Sequence, residues 1–355
     1  MNLGLKLKNK TILVTGASGF IGGRIVERLC QNHDCQVKAL VHNLGHAARI
    51  SRFKIELIKG DVLDKKLMKQ ITRGVDYVIH GAVGNTADIK LNRQITVEGT
   101  RNIMQASLKN RVKRIIYFST MSVYGYPLSQ RVNEKSEYKK VPNDNYNQMK
   151  IEAEEIAKGY IKRGLPLVIL QPTQVYGPYS STWTISPINE LTNNQLLLVN
   201  EGQGLANPLY IHNLIDAVLL ALTKKTALGE TFIISDGKAM TWKKFYESYQ
   251  KMLKKDSLPE LNYFNQLKWQ ILSWPIKLAK KIGLPKPNFI VNKIKPLYQR
   301  ARAINNWSKN RQLFFSSKTR FEITRAQKIL GYSPRISFSQ GMKLTKQWLK
   351  YSRLI

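Results

Sequence analysis

The 355-residue chain is 43% hydrophobic and has a mean hydropathy of -0.31, values typical of a globular protein with a large buried core. No apolar run approaches the roughly 18 to 20 residues that cross a membrane, and no secretory signal peptide is evident, so we expect a cytoplasmic protein. The formal net charge of +34 favours anionic partners, and Cys30 and Cys35 have no neighbours that would complete a metal site, so no bound metal is expected.

A glycine-rich turn follows the first predicted strand. Residues 12–14 form an unbroken apolar run, which is typical of a strand buried on both faces of a parallel sheet. Gly16, Gly19 and Gly22 follow in the spacing G-x-x-G-x-x-G, and apolar residues then recur at helical intervals. Strand, glycine turn and helix together predict a dinucleotide site, in which a diphosphate lies at the N-terminus of the helix.

Further apolar runs alternate with helical patterns along the first half of the chain. They predict strands at 37–41, 55–58, 75–79, 115–118 and 167–170. This alternation predicts an α/β fold, namely a Rossmann-type doubly wound parallel sheet. Ligands bind such sheets at the carboxyl ends of the strands, so the residues that follow each strand are candidate contacts.

The end of the second predicted strand bears on the choice of cofactor. His42 stands where an acidic residue would bind the ribose 2′-hydroxyl of NAD, and Arg49 and Arg52 are near it in sequence. Basic groups suit a 2′-phosphate, so we expect NADP to be preferred, with NAD as the alternative. The predicted cofactor contacts are Gly16, Ser18, Gly19, Phe20, Ile21, Gly22, His42, Asp61, Val62, Gly81, Ala82, Val83, Ser119, Tyr146, Lys150 and Pro172.

Three residues form a candidate catalytic group. Tyr146 and Lys150 are four residues apart in a predicted helix and therefore point to one face of it. A neighbouring ammonium lowers the pKa of a phenol towards the working range of a general base. Thr120 follows the strand at 115–118, where its hydroxyl could bind the substrate oxygen whose proton Tyr146 transfers. The predicted substrate contacts are Thr120, Ser122, Thr173, Gln174 and Val175.

The second half of the chain has a looser pattern. It predicts strands at 208–211 and 230–234 and helices at 213–222, 241–253, 322–330 and 338–349. We therefore predict a dinucleotide-binding Rossmann domain with the catalytic residues at 1–178 and a smaller mixed α/β substrate-binding lobe at 179–355.

Residues 261–321 contain no Asp or Glu but many Lys and Arg. Trp and Lys beside short apolar segments fit weak attachment to the anionic inner face of a membrane. A lid or a helix in a homodimer contact explains the same pattern, and both interpretations stay open. No nucleic-acid-binding module accompanies the charge, so nucleic acid is not an expected partner.

The motifs resemble those of the extended short-chain dehydrogenase/reductases, in the NAD-dependent epimerase/dehydratase group. The resemblance is carried by TGASGFIG at 15–22, GDV at 60–62, HGAVG at 80–84, STMSVYG at 119–125, YNQMK at 146–150, QPTQVYGP at 171–178, IHNLIDA at 211–217 and ITRAQKILGYSP at 323–334. It implies an NAD(P)-dependent enzyme in which Thr120, Tyr146 and Lys150 are catalytic.

Departures from the family pattern narrow the expected reaction. Dehydratases of this group carry an Asp-Glu pair directly after the catalytic Thr, where this chain has Met121 and Ser122, so dehydration is disfavoured. Gln171, His212 and Thr96 also differ from the residues usual in sugar-nucleotide enzymes. We expect an epimerase or oxidoreductase acting on a nucleotide-linked sugar. The alternative is a dehydrogenase or reductase of the hydroxysteroid or dihydroflavonol type acting on an apolar alcohol or ketone.

Overall fold

The computed structural model describes residues 7–127, 130–193, 195–255, 260–261 and 309–355. Its centre is a seven-stranded sheet in which all neighbouring strands are parallel. The predicted doubly wound parallel sheet is therefore confirmed. In order across the sheet, its strands are β3 (Glu56–Lys59), β2 (Gln36–Val41), β1 (Thr11–Thr15), β4 (Tyr77–His80), β5 (Arg114–Phe118), β7 (Leu167–Pro172) and β12 (Thr231–Ile234).

Helices cover both faces of this sheet, which explains why its central strands lack polar alternation. In β1, Ile12 and Val14 pack into one core and Leu13 into the other. The α-helices of the described residues are α1 (Phe20–Asn32), α2 (Ala48–Ser51), α3 (Lys65–Ile71), α4 (Ile89–Arg93), α5 (Gly99–Lys109), α6 (Asn145–Lys162), α7 (Ser186–Thr192), α8 (Ile211–Thr223), α9 (Trp242–Met252), α10 (Lys309–Ser316) and α11 (Phe338–Tyr351). Helices α1 and α8 contribute to the first core, whereas α3, α5 and α6 contribute to the second.

Short strand pairs organise the remainder of the described chain. They join β6 (Arg131–Val132) to β15 (Arg320–Phe321), β8 (Gln174–Tyr176) to β11 (Pro208–Tyr210), β9 (Leu198–Val199) to β14 (Glu260–Leu261), and β10 (Leu205–Ala206) to β13 (Met240–Thr241). Strands of two or three residues are too short to show a hydrophobic period. For that reason the sequence did not predict the pairing that brings residues 320–321 beside residues 131–132.

The long predicted elements agree with the structure to within a few residues. Thr241 caps α9 as predicted, because its hydroxyl accepts a hydrogen bond from the backbone N–H of Lys244 at 3.2 Å. The predicted helix at 322–330 begins later in the structure, because residues 322 and 323 follow β15 without regular structure, and it ends at Leu330 before Gly331, which has a φ of +68°.

Two sequence predictions concern the organisation of the second half. The seventh strand of the sheet, Thr231–Ile234, lies beyond the predicted domain boundary at residue 178, and the division at that boundary stays a prediction. Most of the basic segment at 261–321 falls on residues 262–308, which lie outside the described residues. Within the part that the structure describes, no helix combines the length and apolar character needed to span a bilayer.

Candidate active site

The glycine turn joins β1 to α1 with little space for side chains. Gly16 has a φ of +65°, and a Cβ there would lie 2.7 Å from the carbonyl carbon of Gly81. A Cβ at Gly22 would lie 2.1 Å from the carbonyl oxygen of Gly16. Gly19 is the N-cap of α1 and has no side chain that could accept a hydrogen bond. The first backbone N–H groups of that helix therefore have no side-chain cap. This arrangement suits an anionic diphosphate at the helix N-terminus.

A cleft of about 1010 Å³ lies at the carboxyl ends of the central strands. It is large enough for a dinucleotide together with part of a second ligand. The predicted site residues that line it are Phe20, Ile21, Gly81, Ala82, Val83, Ser119, Thr120, Ser122, Tyr146, Lys150, Pro172, Thr173 and Val175. The structure thus brings together side chains that are up to 155 positions apart in sequence.

Tyr146 lies at the first turn of α6 and faces this cleft. Tyr146 is 44% exposed. Partial burial of its phenol raises the pKa of Tyr146, while a side-chain hydrogen bond with Thr120 opposes the rise. Because the ring opens to the cleft, water weakens the effect of burial. The phenol is therefore accessible to a ligand and close to the Thr120 hydroxyl.

Lys150 lies one helical turn further along α6 and is buried. Its ammonium donates hydrogen bonds to the carbonyl oxygen of Phe118 at 2.5 Å and to the hydroxyl of Tyr117 at 3.1 Å. Burial lowers the pKa of Lys150 to about 8, and the nearby carboxylate of Glu154 opposes that change. Lys150 thus places a positive charge in the lining of the cleft, and its pKa lies close to neutral pH.

Two serines at the end of β5 supply unused polar atoms. The hydroxyls of Ser119 and Ser122 are buried, line the cleft and have no hydrogen-bond partner among the described residues. Buried hydroxyls without partners are costly, so they mark places where a ligand would complete the hydrogen bonding. Together with the glycine turn, these atoms fit a nicotinamide dinucleotide.

Several predicted contacts do not line the large cleft. The buried side chain of Gln174 accepts a hydrogen bond from the backbone N–H of Asn207 at 2.9 Å, which ties β8 to the loop before β11. At the end of β2, the exposed His42 lies 3.4 Å from a carboxylate oxygen of Asp61. Gly16, Ser18, Gly19, Gly22 and Val62 are also not among the residues that line the cleft.

A buried carboxylate on α1 binds the arginines that the sequence placed near the cofactor ribose. Glu27 is 2% exposed and accepts hydrogen bonds from Arg24 at 2.7 Å, from Arg49 at 2.8 and 2.9 Å, and from Arg52 at 3.2 Å. The Arg49 guanidinium also lies 3.9 Å from the centre of the Tyr179 ring. Two of the three basic groups that favoured a 2′-phosphate are therefore already paired with Glu27.

The opposite wall of the cleft comes from segments that carry no recognised motif. It includes Tyr126, Trp183, Glu190, Tyr246, Asn310, Arg311, Phe314 and Phe315. Trp183 stacks on Trp242 and on Phe314, with ring centroids 5.3 and 5.9 Å apart. Sequence reasoning missed these residues because helices α7, α9 and α10 meet only in the folded chain.

One missed residue had a detectable sequence signal. The carboxylate of Asp144 accepts a hydrogen bond from the backbone N–H of Asn147 at 2.9 Å and so caps α6. Asp is a preferred N-cap residue, and Asp144 stands just before Tyr146. The second carboxylate oxygen accepts a hydrogen bond from the hydroxyl of Tyr126 at 2.5 Å. This contact fixes the start of α6 against the cleft wall.

Known proteins resemble this chain over nearly its whole length. It is 26% identical over 352 residues to the N-acetyl-alpha-D-glucosaminyl-diphospho-ditrans,octacis-undecaprenol 4-epimerase of Escherichia coli O157:H7, covering 96% of this chain and 95% of that protein. It is 27% identical over 299 residues to the human dTDP-D-glucose 4,6-dehydratase, covering 78% of this chain and 84% of that protein. The UDP-glucuronic acid 4-epimerase from Bacillus cereus, solved in complex with NAD, superposes with a TM-score of 0.72 at 21% identity and covers 96% of this chain and 99% of that chain.

The chain also matches the model of a protein family over most of its length. The model of the 3-beta hydroxysteroid dehydrogenase/isomerase family matches residues 13–261, which include the glycine turn, Thr120, Tyr146 and Lys150. The chain therefore belongs to the 3-beta hydroxysteroid dehydrogenase/isomerase family, within the extended short-chain dehydrogenase/reductases that the sequence motifs predicted.

Proposed function

We propose that this protein is a nicotinamide-dependent epimerase or oxidoreductase that acts on one secondary alcohol of a diphosphate-linked sugar, in the first instance a nucleotide sugar. The observation that carries the proposal is the placement of Tyr146 in an open cleft beside Thr120, with Lys150 buried one turn below. The names of the two sequence relatives, a sugar 4-epimerase and a sugar-nucleotide dehydratase, support the substrate class.

The chain's own residues account for the proton transfer. Thr120 would donate a hydrogen bond to the substrate oxygen, and the Tyr146 phenol would take the proton from that oxygen or return it. The Lys150 ammonium stabilises the phenolate by its charge. A bound nicotinamide dinucleotide would supply hydride exchange at the carbon that carries this oxygen. Oxidation followed by reduction on the other face of that carbon amounts to epimerisation.

The proposed cofactor site uses the glycine turn and the ends of β4, β5 and β7. Gly16, Gly19 and the N-terminus of α1 would hold the diphosphate, and Ser119 would bind the nicotinamide half. The binding of NAD by the Bacillus cereus epimerase supports this assignment. The preference for NADP over NAD stays a proposal that depends on His42.

We expect NADP to bind more tightly than NAD, because His42 replaces the carboxylate that would bind a 2′-hydroxyl and repel a phosphate. Substituting His42→Asp should reverse the order by about 10-fold or more. The measurement is a titration of both cofactors followed by intrinsic tryptophan fluorescence. Since Arg49 and Arg52 are paired with Glu27, tighter binding of NAD by the natural chain would show that His42 alone does not provide the preference.

Water elimination from the sugar is not part of the proposal. Met121 and Ser122 supply no carboxylate beside Thr120. Among the described residues, the carboxylates that line the cleft are Asp144, which caps α6, and Glu190, which lies 3.4 Å from the Arg311 guanidinium. Both are already bound to other groups, so neither is placed to act as the second acid and base that a dehydration needs.

Incubation with a substrate panel and mass analysis of the products would test the reaction. The panel contains nucleotide sugars, a polyprenyl-diphosphate sugar and a 3-beta-hydroxysteroid, each with NAD and with NADP. We expect a sugar product of unchanged mass, separable as an epimer, or one that differs by two hydrogens. A product lighter by one water would contradict the exclusion of dehydration, and turnover of the steroid alone would favour the apolar-alcohol alternative.

Other proposals concern partners and location. The diphosphate of the substrate is an anion of the kind that a strongly basic chain favours, and Arg311 lines the cleft. We also propose a cytoplasmic location, with weak peripheral contact of the basic segment with an anionic membrane, and a homodimer. The membrane proposal is supported by the lipid-linked substrate in the name of the Escherichia coli relative.

A further inference from the structure

A fully buried asparagine lies between the two proposed catalytic residues of α6. Asn147 follows Tyr146 directly, three residues before Lys150, and is 0% exposed. Asn is a weak helix former because its side chain competes for backbone hydrogen bonds, so a buried Asn in a helix needs polar partners outside it. The proton transfer proposed above makes no use of this side chain.

The amide group of Asn147 bonds to the backbone of two segments outside the helix. Its Nδ2 donates to the carbonyl oxygens of Ser122 at 2.6 Å and of Lys139 at 3.1 Å. Its Oδ1 accepts from the backbone N–H of Val141 at 2.8 Å. Both amide hydrogens are therefore used. Asn147 thus joins the start of α6 to the turn that follows β5 and to the loop at 139–141.

The contact with Ser122 reaches the proposed substrate contact Thr120. Thr120 is the N-cap of a single 3₁₀ turn at Met121–Tyr124, and its hydroxyl oxygen accepts a hydrogen bond from the backbone N–H of Ser122 at 3.2 Å. That bond uses a lone pair of the Thr120 oxygen and leaves the hydroxyl proton for donation, which is the role proposed for it towards the substrate oxygen. Ser122 is therefore bound to Thr120 through its N–H and to Asn147 through its carbonyl group.

We propose that Asn147 is a positioning residue: by holding the carbonyl group of Ser122 against α6, it fixes the turn that orients the Thr120 hydroxyl. Thr120 and Tyr146 both line the cleft, and Asn147 is the neighbour of Tyr146 in the helix, so this contact ties the two groups that would share one substrate oxygen. A displacement of about 1 Å in such a group can lower turnover by about 100-fold. The proposal rests on the proposed function through the role of Thr120.

The next residue of α6 provides a matched control. Gln148 donates from Nε2 to the carbonyl oxygen of Val141 at 3.0 Å, so it holds the same loop as Asn147. Among the hydrogen bonds of the described residues, its side chain has none to Ser122. An effect of loosening the loop should therefore appear in both Asn147→Ala and Gln148→Ala, whereas an effect on Thr120 should appear in Asn147→Ala alone.

Hydrogen exchange at the backbone N–H of Ser122 tests the contact without substrate. This N–H donates to Thr120, so its exchange rate reports whether the turn holds the hydroxyl oxygen. Mass spectrometry of the full chain with residue-level fragmentation measures the rate. We expect the amide to exchange about 10-fold faster in Asn147→Ala and at the natural rate in Gln148→Ala. An unchanged rate in folded Asn147→Ala would overturn the proposal, as would an equal increase in Gln148→Ala.

A double-mutant cycle with Thr120→Val tests whether Asn147 acts through Thr120, because valine keeps the shape of threonine and lacks its hydroxyl. With a sugar that the natural chain turns over, Asn147→Ala should lower kcat/KM about 10-fold when Thr120 is present. It should have little further effect in Thr120→Val, where the hydroxyl that it positions is already absent. Equal losses in the two backgrounds are the result of a general structural defect and would overturn the proposal.

If Asn147→Ala does not fold, Asn147→Leu replaces it in both measurements. Leucine fills nearly the same space and lacks both N–H donors, so the same faster exchange and the same dependence on Thr120 are expected, and their absence would contradict the proposal. Because hydrogen exchange needs no turnover, a wrong substrate assignment leaves that result unaffected.

Discussion

Replacing Tyr146 by phenylalanine is expected to lower kcat by about 100-fold or more while the fold and cofactor binding are retained. The substitution removes only the phenolic oxygen. That oxygen faces the cleft, where it can reach a substrate hydroxyl, and it is the partner of the Thr120 side chain. Without it, the remaining groups can orient the substrate but cannot exchange its proton. Steady-state kinetics and a cofactor titration by fluorescence measure the two effects separately.

A second tyrosine of α6 provides the matched control. Tyr160 is buried near the other end of the helix and lies away from the cleft, so Tyr160→Phe should leave kcat close to the natural value. Equal activity of Tyr146→Phe and Tyr160→Phe would remove Tyr146 from the proposed mechanism. Loss of cofactor binding in Tyr146→Phe would instead assign the phenol to ligand binding.

Replacing Glu27 by glutamine is expected to lower the thermal unfolding temperature by on the order of 5 °C or more at pH 7. Burial alone raises the pKa of Glu27, but hydrogen bonds from Arg49 and Arg24 outweigh it and lower the pKa to about 2 from an ordinary value of 4.5. The difference corresponds to about 3 kcal/mol in favour of the folded state. Glutamine also leaves Arg49, which is 12% exposed, without its carboxylate.

The pH dependence follows from the direction of this pKa change. A carboxyl group with a lowered pKa in the folded protein stabilises it above about pH 4.5, and that contribution is lost as the pH falls towards about 2. Calorimetry from pH 7 to 3 should therefore show a steeper loss of stability in the natural chain than in Glu27→Gln. Parallel curves would contradict the predicted role of Glu27.

The exposed pair Glu98–Arg101 is the matched control for this prediction. It has the same three-residue spacing in a helix as Arg24–Glu27, but both of its side chains are more than 40% exposed. Exposed pairs contribute roughly 0 to 1 kcal/mol, so Glu98→Gln should hardly change the unfolding temperature. If Glu27→Gln and Glu98→Gln unfold at the same temperature, the burial of Glu27 does not increase the contribution of its ion pairs to stability.

The sequence by itself determined the parallel sheet, the glycine turn and the pairing of Tyr146 with Lys150 on one helix face. The unbroken apolar run at 12–14 and the glycine spacing are local patterns, because a strand covered on both faces must be apolar throughout and a tight turn requires glycine. Tyr146 and Lys150 also follow from local spacing, since residues four apart share one face of a helix. These features could be predicted because each depends on a few neighbouring residues.

Only the tertiary structure decided which side chains share the site and which are bound elsewhere. Arg49 and Arg52 are near His42 in sequence, yet the buried carboxylate of Glu27 binds them both. Gln174 follows the cleft-lining Thr173 but points into the interior, because neighbouring residues in an extended segment face opposite sides. The Lys150 ammonium on α6 donates a hydrogen bond to the hydroxyl of Tyr117 on β5, and this contact has no local signal, since hydrogen bonds between distant side chains exist only after the sheet and helix have packed.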